Sequence, residues 1–190
     1  MTMSRESHLV ELVDAAGHAV GQATVEAAHR APGRLHRAFS VLLIDPAGRL
    51  LLQRRAAGKT RFPLRWANAC CGHPAPGEPP AAAAVRRLGE ELDLPAVDLT
   101  EVGVYVYRAD DPETGRVEHE YDHVLLGRVA AEPVLRPDPT EVAAVRWEPL
   151  AGLPTVIAAD PAAYAPWLAG VVATLAGPSS PQVGGRRGGG

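Results

Sequence analysis

The sequence predicts an α+β domain in which a mixed β-sheet is flanked by helices. Two observations carry this. Segments patterned like strands outnumber those patterned like helices, and the two kinds do not alternate strictly, which argues against a doubly wound sheet. A chain of 190 residues with 46% hydrophobic content suits one domain with an ordinary buried core. No internal repeat is evident.

Taken in order, "HLVELVD" and "AAGHAVGQATV" read as a strand, a turn and a second extended segment. "RAFSVLLIDPAGRLLLQRRA" is the clearest local signal. Its apolar runs flank "DPAG", where Pro46 after Asp45 and then Gly48 supply turn chemistry, so a β-hairpin is expected. Residues 58–76 show no clean period and read as a long loop. "EPPAAAAVRRLGEELDL" reads as a helix, with prolines admissible in its first turn and alanines filling the turn after it. "EVGVYVYRA" and "EHEYDHVLLGRVA" read as strands joined by the turn-rich "DDPETGRV". "EVAAVRWEPL" reads as a further strand and "DPAAYAPWLAGVVATLA" as a closing helix. The domain is expected over residues 8–176, between an unstructured start (1–7) and a Gly/Ser/Pro tail (177–190).

A net charge of -3 gives no electrostatic case for nucleic acid and argues mildly against an anionic membrane surface. The N-terminal residues contain no long apolar run, so neither a signal peptide nor a membrane span is expected. Cys70 and Cys71 are the only cysteines, and adjacent residues do not form an ordinary staple. They read as reduced thiols in a cytoplasm.

On the expected helix, Arg86 faces Glu90 and Arg87 faces Glu91, each four residues apart. Alone, these pairs read as a solvated face worth a few tenths of a kcal/mol each. A second reading includes Gly72 and Glu78 upstream: a glycine-bearing loop leads into a helix carrying carboxylates. Such oxygens suit Mg²⁺ shared with substrate phosphates, and nearby arginines suit the phosphate oxygens.

The pattern Gly72–x5–Glu78–x7–Arg86–Arg87–Leu88–x–Glu90–Glu91–x–Asp93–Leu94 resembles the Nudix box. Arg87 stands where that box usually has glutamate, and Asp93 where it has glycine. Nudix hydrolases use the missing glutamate and its neighbours to hold metals, so ordinary nucleotide-diphosphate hydrolysis is disfavoured. "AAHRAPGRLHRAFS", "CCGHP", "YRADDPETGRVEHEYDH" and "APW", in that order, are similar to the type I isopentenyl-diphosphate isomerases, from about Leu9 to Trp167.

The resemblance implies a Nudix-like mixed sheet and interconversion of isopentenyl and dimethylallyl diphosphate through a tertiary carbocation. It implies a metal site of His29, His36, His73, Glu118 and Glu120, matching the family's ligands. Three imidazoles and two carboxylates suit Mn²⁺, Mg²⁺ or Zn²⁺, and Glu118 and Glu120 share one strand face while His119 points away. His8, His18, His119 and His123 keep the ordinary reading of solvated or structural residues.

By the same resemblance, Cys71, which precedes the glycine of "CGHP", is one acid–base partner, and Glu120 with Tyr107 is the other. The family pattern favours Glu120 and Tyr107 as proton donor, although the reaction is reversible. Cys70 reads as a small buried residue. Trp167 matches the tryptophan whose ring faces the carbocation; Trp66 and Trp147 read as core. Arg55, Lys59 and Arg87 match diphosphate-binding positions, with Mg²⁺ at Glu91. The partner is thus a small prenyl diphosphate, and the protein is expected to be a monomer or weak homodimer.

Two departures stand out. Val25 occupies the place of a family lysine, with Arg61 or Arg65 as candidates to supply that charge, and Leu64–Arg65 replaces a Pro-Gly-type turn. They leave room for a longer prenyl diphosphate that is rearranged or cyclised. A Nudix-type diphosphate hydrolase and a non-catalytic diphosphate-binding module compete with the isomerase reading as well.

Overall fold

The computed structural model describes residues 5–94, 97–131 and 133–177. Nine strands form one mixed sheet: β1 (Leu9–Val13), β2 (Ala19–Thr24), β3 (His36–Ile44), β4 (Arg49–Arg55), β5 (Trp66–Asn68), β6 (Cys70–Gly72), β7 (Leu99–Asp110), β8 (Val117–Arg128) and β9 (Val142–Pro149). Four helices accompany them: α1 (Val25–Ala28), α2 (Pro80–Leu92), α3 (Leu153–Ala159) and α4 (Leu168–Ala173).

The DPAG turn forms as its chemistry dictates. Asp45 accepts from the Ala47 and Arg49 amides at 3.0 and 2.8 Å, and Gly48 takes φ 75°. The hairpin beyond it does not persist. β3 and β4 are paired only at Ile44 and Leu50 and then splay. The opening is filled by residues expected to be loop: β5 pairs with β4 and β6 pairs with β3. β3 finds its long partner elsewhere, running parallel to β8 from His36–Glu120 to Ile44–Arg128.

α2 is the helix expected, with prolines at its start and Asp93 in the left-handed conformation at its end. The closing helix is shorter than expected and begins only at Leu168. Pro161 and Pro166 explain this, because each lacks a backbone donor and Pro166 disfavours helix at Ala165. The Ala165 amide instead donates to the Trp66 carbonyl at 2.8 Å. Residues 5–7, expected to be unstructured, form a 3₁₀ turn held by Arg5 to Glu141 (2.9 Å) and Glu6 to Arg61 (2.9 Å). The expected tail lies outside the described residues apart from Gly177.

Two apolar layers sandwich the sheet. Leu42, Leu52, Val124 and the α3–α4 residues Leu153, Leu168 and Val171 form one. Phe39, Val41, Leu51, Leu125 and the α2 residues Ala84, Leu88 and Leu92 form the other. Trp66 and Trp147 are half-buried against these layers, each beneath an arginine, Arg146 at 4.2 Å and Arg49 at 5.9 Å.

Candidate active site

β3 is the spine of the site. Along one side its register with β8 sets His36 opposite Glu120; along the other, Ser40 lies opposite Cys71 of β6. One strand thus carries a histidine to the carboxylates and a hydroxyl to the thiol. β6 approaches closely at Gly72, where a Cβ would stand 2.9 Å from the Phe39 ring.

His29, just after α1, and His36 each direct Nδ1 at a backbone carbonyl, Val25 at 2.6 Å and Arg34 at 2.8 Å. Those bonds place the proton on Nδ1 and leave each Nε2 lone pair facing inward. His29 Nε2 lies 2.8 Å from Glu118 Oε2, and His73 Nε2 lies 2.9 Å from Glu120 Oε1. His36 Nε2 is buried with no hydrogen-bond partner among the described residues, 3.6 Å from the same Glu120 oxygen. The five donor atoms lie within 4.8 Å of one another. Lone pairs and carboxylates so gathered repel unless a cation lies among them, and this nitrogen–oxygen set suits a divalent ion. The residues therefore fit a metal. Burial pushes the His73 imidazole down to about 4, against the Glu120 hydrogen bond, which favours its charged form.

Tyr107 donates its hydroxyl to Glu120 Oε2 at 2.6 Å. Burial holds the phenol well above its ordinary value, and the Glu120 charge adds to this. Burial alone would also raise Glu120, but the adjoining His36 imidazole and the His73 hydrogen bond hold that carboxyl well below its usual range. The proton of this pair therefore rests on the phenol. On the same cavity, burial pushes the Cys71 thiol from 9.0 to about 12, with the Asp122 charge adding and Arg55 opposing. Cys71 rests as a neutral thiol.

Cys71, Tyr107, Glu120 and Trp167 face a single cavity of about 720 Å³. The Trp167 ring is buried, 5.9 Å from the Tyr107 ring and beneath the Arg55 guanidinium at 5.4 Å. Arg55, Lys59 and Arg87 line the same cavity. Arg55 donates to the carbonyls of Arg61 and Phe62, Lys59 pairs with Glu141, and Arg87 pairs with Glu91. Glu91 is not gathered with the other five metal candidates; it is buried beneath Arg87 and also accepts from Gln53 at 3.2 Å.

Val25 lines the cavity, and so does Arg61, which donates to Glu118 at 3.1 Å. Arg65 instead pairs with Glu113 at 3.1 Å in a separate pocket. Of the two candidates for the missing charge, only Arg61 stands at the site. His8, read as a solvated residue, is exposed but also lines the cavity.

Sequence reasoning did not single out Asn68, Ser40, Asp122 or Glu141. Asn68, Ser40 and Asp122 are buried polar residues in strands, a signal visible only once the strands are known. Ser40 Oγ donates to Asp122 at 2.7 Å and lies 3.7 Å from the Cys71 sulfur.

The NUDIX domain family matches residues 34–170. A Nocardia farcinica protein named isopentenyl-diphosphate Delta-isomerase is 64% identical over 163 residues, covering 86% of this chain and 91% of its own. A Streptomyces avermitilis protein of the same name is 46% identical over 182 residues, covering 92% and 90%. Among solved structures, a Deinococcus radiodurans protein superposes with TM-score 0.70 at 23% identity, covering 87% of this chain and 98% of its own, a likeness of fold. A Mycobacterium smegmatis Nudix hydrolase gives 0.55 at 21% identity, covering 87% and 91%.

Proposed function

Because the chain belongs to the Nudix family and, within it, to the isopentenyl-diphosphate Delta-isomerases, we propose that it interconverts isopentenyl and dimethylallyl diphosphate. The observation that carries the reading is a neutral thiol and a phenol–carboxylate pair opening onto one cavity. Moving the double bond requires a proton to add to the terminal CH₂ carbon and another to leave the CH₂ on the far side of the branched carbon. Cys71 serves one of these steps and the Tyr107–Glu120 pair the other, and reversal exchanges their parts.

Between the two steps the branched carbon is positive. The Trp167 indole faces it, and a desolvated cation over indole gains about 2 kcal/mol. That the Trp167 ring already holds the Arg55 guanidinium at 5.4 Å supports its capacity to hold a cation. A divalent ion bound by His29, His36, His73, Glu118 and Glu120 would supply positive charge beside the Tyr107–Glu120 pair, favouring proton release. Arg55, Lys59 and Arg87 bind the diphosphate, which arrives with Mg²⁺. Glu91 can serve that Mg²⁺ only when Arg87 turns from it toward phosphate. Arg87 in place of a box glutamate also weighs against hydrolysis. Both cysteines are free, in keeping with a reducing compartment such as the cytoplasm. Among the described residues no helix is long and apolar enough to cross a membrane.

Purified protein incubated with isopentenyl diphosphate in D₂O should yield dimethylallyl diphosphate carrying deuterium in a methyl group. Unlabelled substrate recovered after long incubation would sink the proposal, and release of phosphate or pyrophosphate instead would replace it with hydrolysis.

A further inference from the structure

The side chain of Asn68 is fully buried in β5, between the thiol and the indole that the proposed reaction employs. Its amide nitrogen donates to the carbonyls of Val41 at 3.2 Å and Cys70 at 2.8 Å. Its oxygen accepts from the Cys71 sulfur at 3.1 Å and from the Trp167 indole nitrogen at 3.1 Å. Only one orientation of this amide is chemically possible. Turned over, its oxygen would face two carbonyl oxygens and its nitrogen would face an indole N–H, leaving buried groups unpaired.

We infer that Asn68 is a positioning residue for the reaction, orienting Cys71 and Trp167 together through one acceptor oxygen. Asn68 does not line the cavity, so it acts through those two groups. The Val41 bond ties it to β3, whose neighbouring residue Ser40 is opposite Cys71. Trp167 precedes α4, so the same oxygen also joins that helix start to the thiol strand. Because the oxygen can only accept, the thiol hydrogen points at it, which fixes the direction in which the Cys71 side chain lies. The indole cannot rotate about its attachment without losing that bond, which fixes the face it presents.

This rests on the isomerase reading, and the test separates the two. Isomerisation by the parent protein is measured first; an inactive parent removes the reading and this inference with it. Asn68→Leu keeps the branched four-heavy-atom shape, in slightly more bulk, but no polar atom. It should lower kcat at least tenfold, toward a hundredfold, with KM within about threefold, since misplacing a catalytic group by about 1 Å can cost that much. Asn68→Asp, protonated in its buried place, keeps the acceptor oxygen and one donor, and should recover at least tenfold over Asn68→Leu. A merely structural role would lower the amount of folded enzyme without this rescue, so kcat is taken per folded active site. Should Asn68→Leu not unfold cooperatively, Asn68→Ser, too short to reach either donor, takes its place under the same criteria. A folded variant with kcat within threefold of the parent, a KM that rises as kcat falls, or an aspartate no better than leucine would each overturn the inference.

Discussion

At Cys71, burial and the Asp122 carboxylate both favour the neutral thiol, and Arg55 offsets them only in part. A thiol raised from 9.0 to about 12 holds its proton in the folded state where the unfolded chain has lost it. Its contribution to stability is therefore present below about pH 9 and falls as pH rises toward 12. In a Cys70→Ala protein stripped of metal, the alkylation rate of Cys71 by iodoacetamide should keep climbing past pH 10; a plateau below that would show the thiol to be ordinary. For turnover, Cys71→Ala and Glu120→Gln should each lose about 10²–10⁴-fold, the worth of a positioned acid or base, with the fold intact and thermal unfolding still cooperative. Near-parent activity in either would remove that residue from the reaction. "CGHP" pointed to Cys71 in the sequence because the motif is contiguous. Asn68 gave no such sign, because its four partners come from Val41, Cys70, Cys71 and Trp167, and only folding gathers them.

Among the elements, strand patterning and turn chemistry were legible, and pairing was not. The DPAG turn is local, so Asp45 and Gly48 specify it; the splaying of β3 from β4 depends on β8 and on the β5–β6 insert arriving from far along the chain. Each strand of that insert has three residues, too few to show a period. The late start of α4 was readable in principle from Pro161 and Pro166, but the apolar run around them outweighed the two prolines. α4 closes the site from the side of β7. At Gly170 the helix meets Tyr105, whose ring stacks on Tyr107 at 5.4 Å. An added Cβ would collide with the Tyr105 ring, so Gly170→Ala should cost about 1–3 kcal/mol through overpacking. Tyr107 would also be displaced from Glu120, so turnover should fall while diphosphate binding holds. A denaturant midpoint equal to the parent's, with full activity, would show that α4 yields freely and does not set the phenol.

On the scale of the molecule, the metal candidates join parts of the chain that share few other constraints. His29 follows α1, His36 begins β3, His73 follows β6, and Glu118 and Glu120 lie on β8. The family resemblance implied the set, but closure depends on the parallel β3–β8 register, which brings residues 36 and 120 together. Without an ion, two buried carboxylates face one another and His36 Nε2 lacks a hydrogen-bond partner among the described residues. A bound divalent ion relieves both and binds only the folded state, stabilising by about 2.7 kcal/mol when free ion is a hundredfold above Kd. Chelation should therefore lower Tm, and titration with Mn²⁺, Mg²⁺ or Zn²⁺ in turn should restore it, the ion effective at the lowest concentration being the preferred occupant. His36→Ala should abolish the metal-dependent part of Tm, since it removes one donor and spares the cavity cations. If Tm ignores both chelator and ions, or if His36→Ala responds to metal as the parent does, these five residues are a polar cluster held by Arg61 and their own hydrogen bonds.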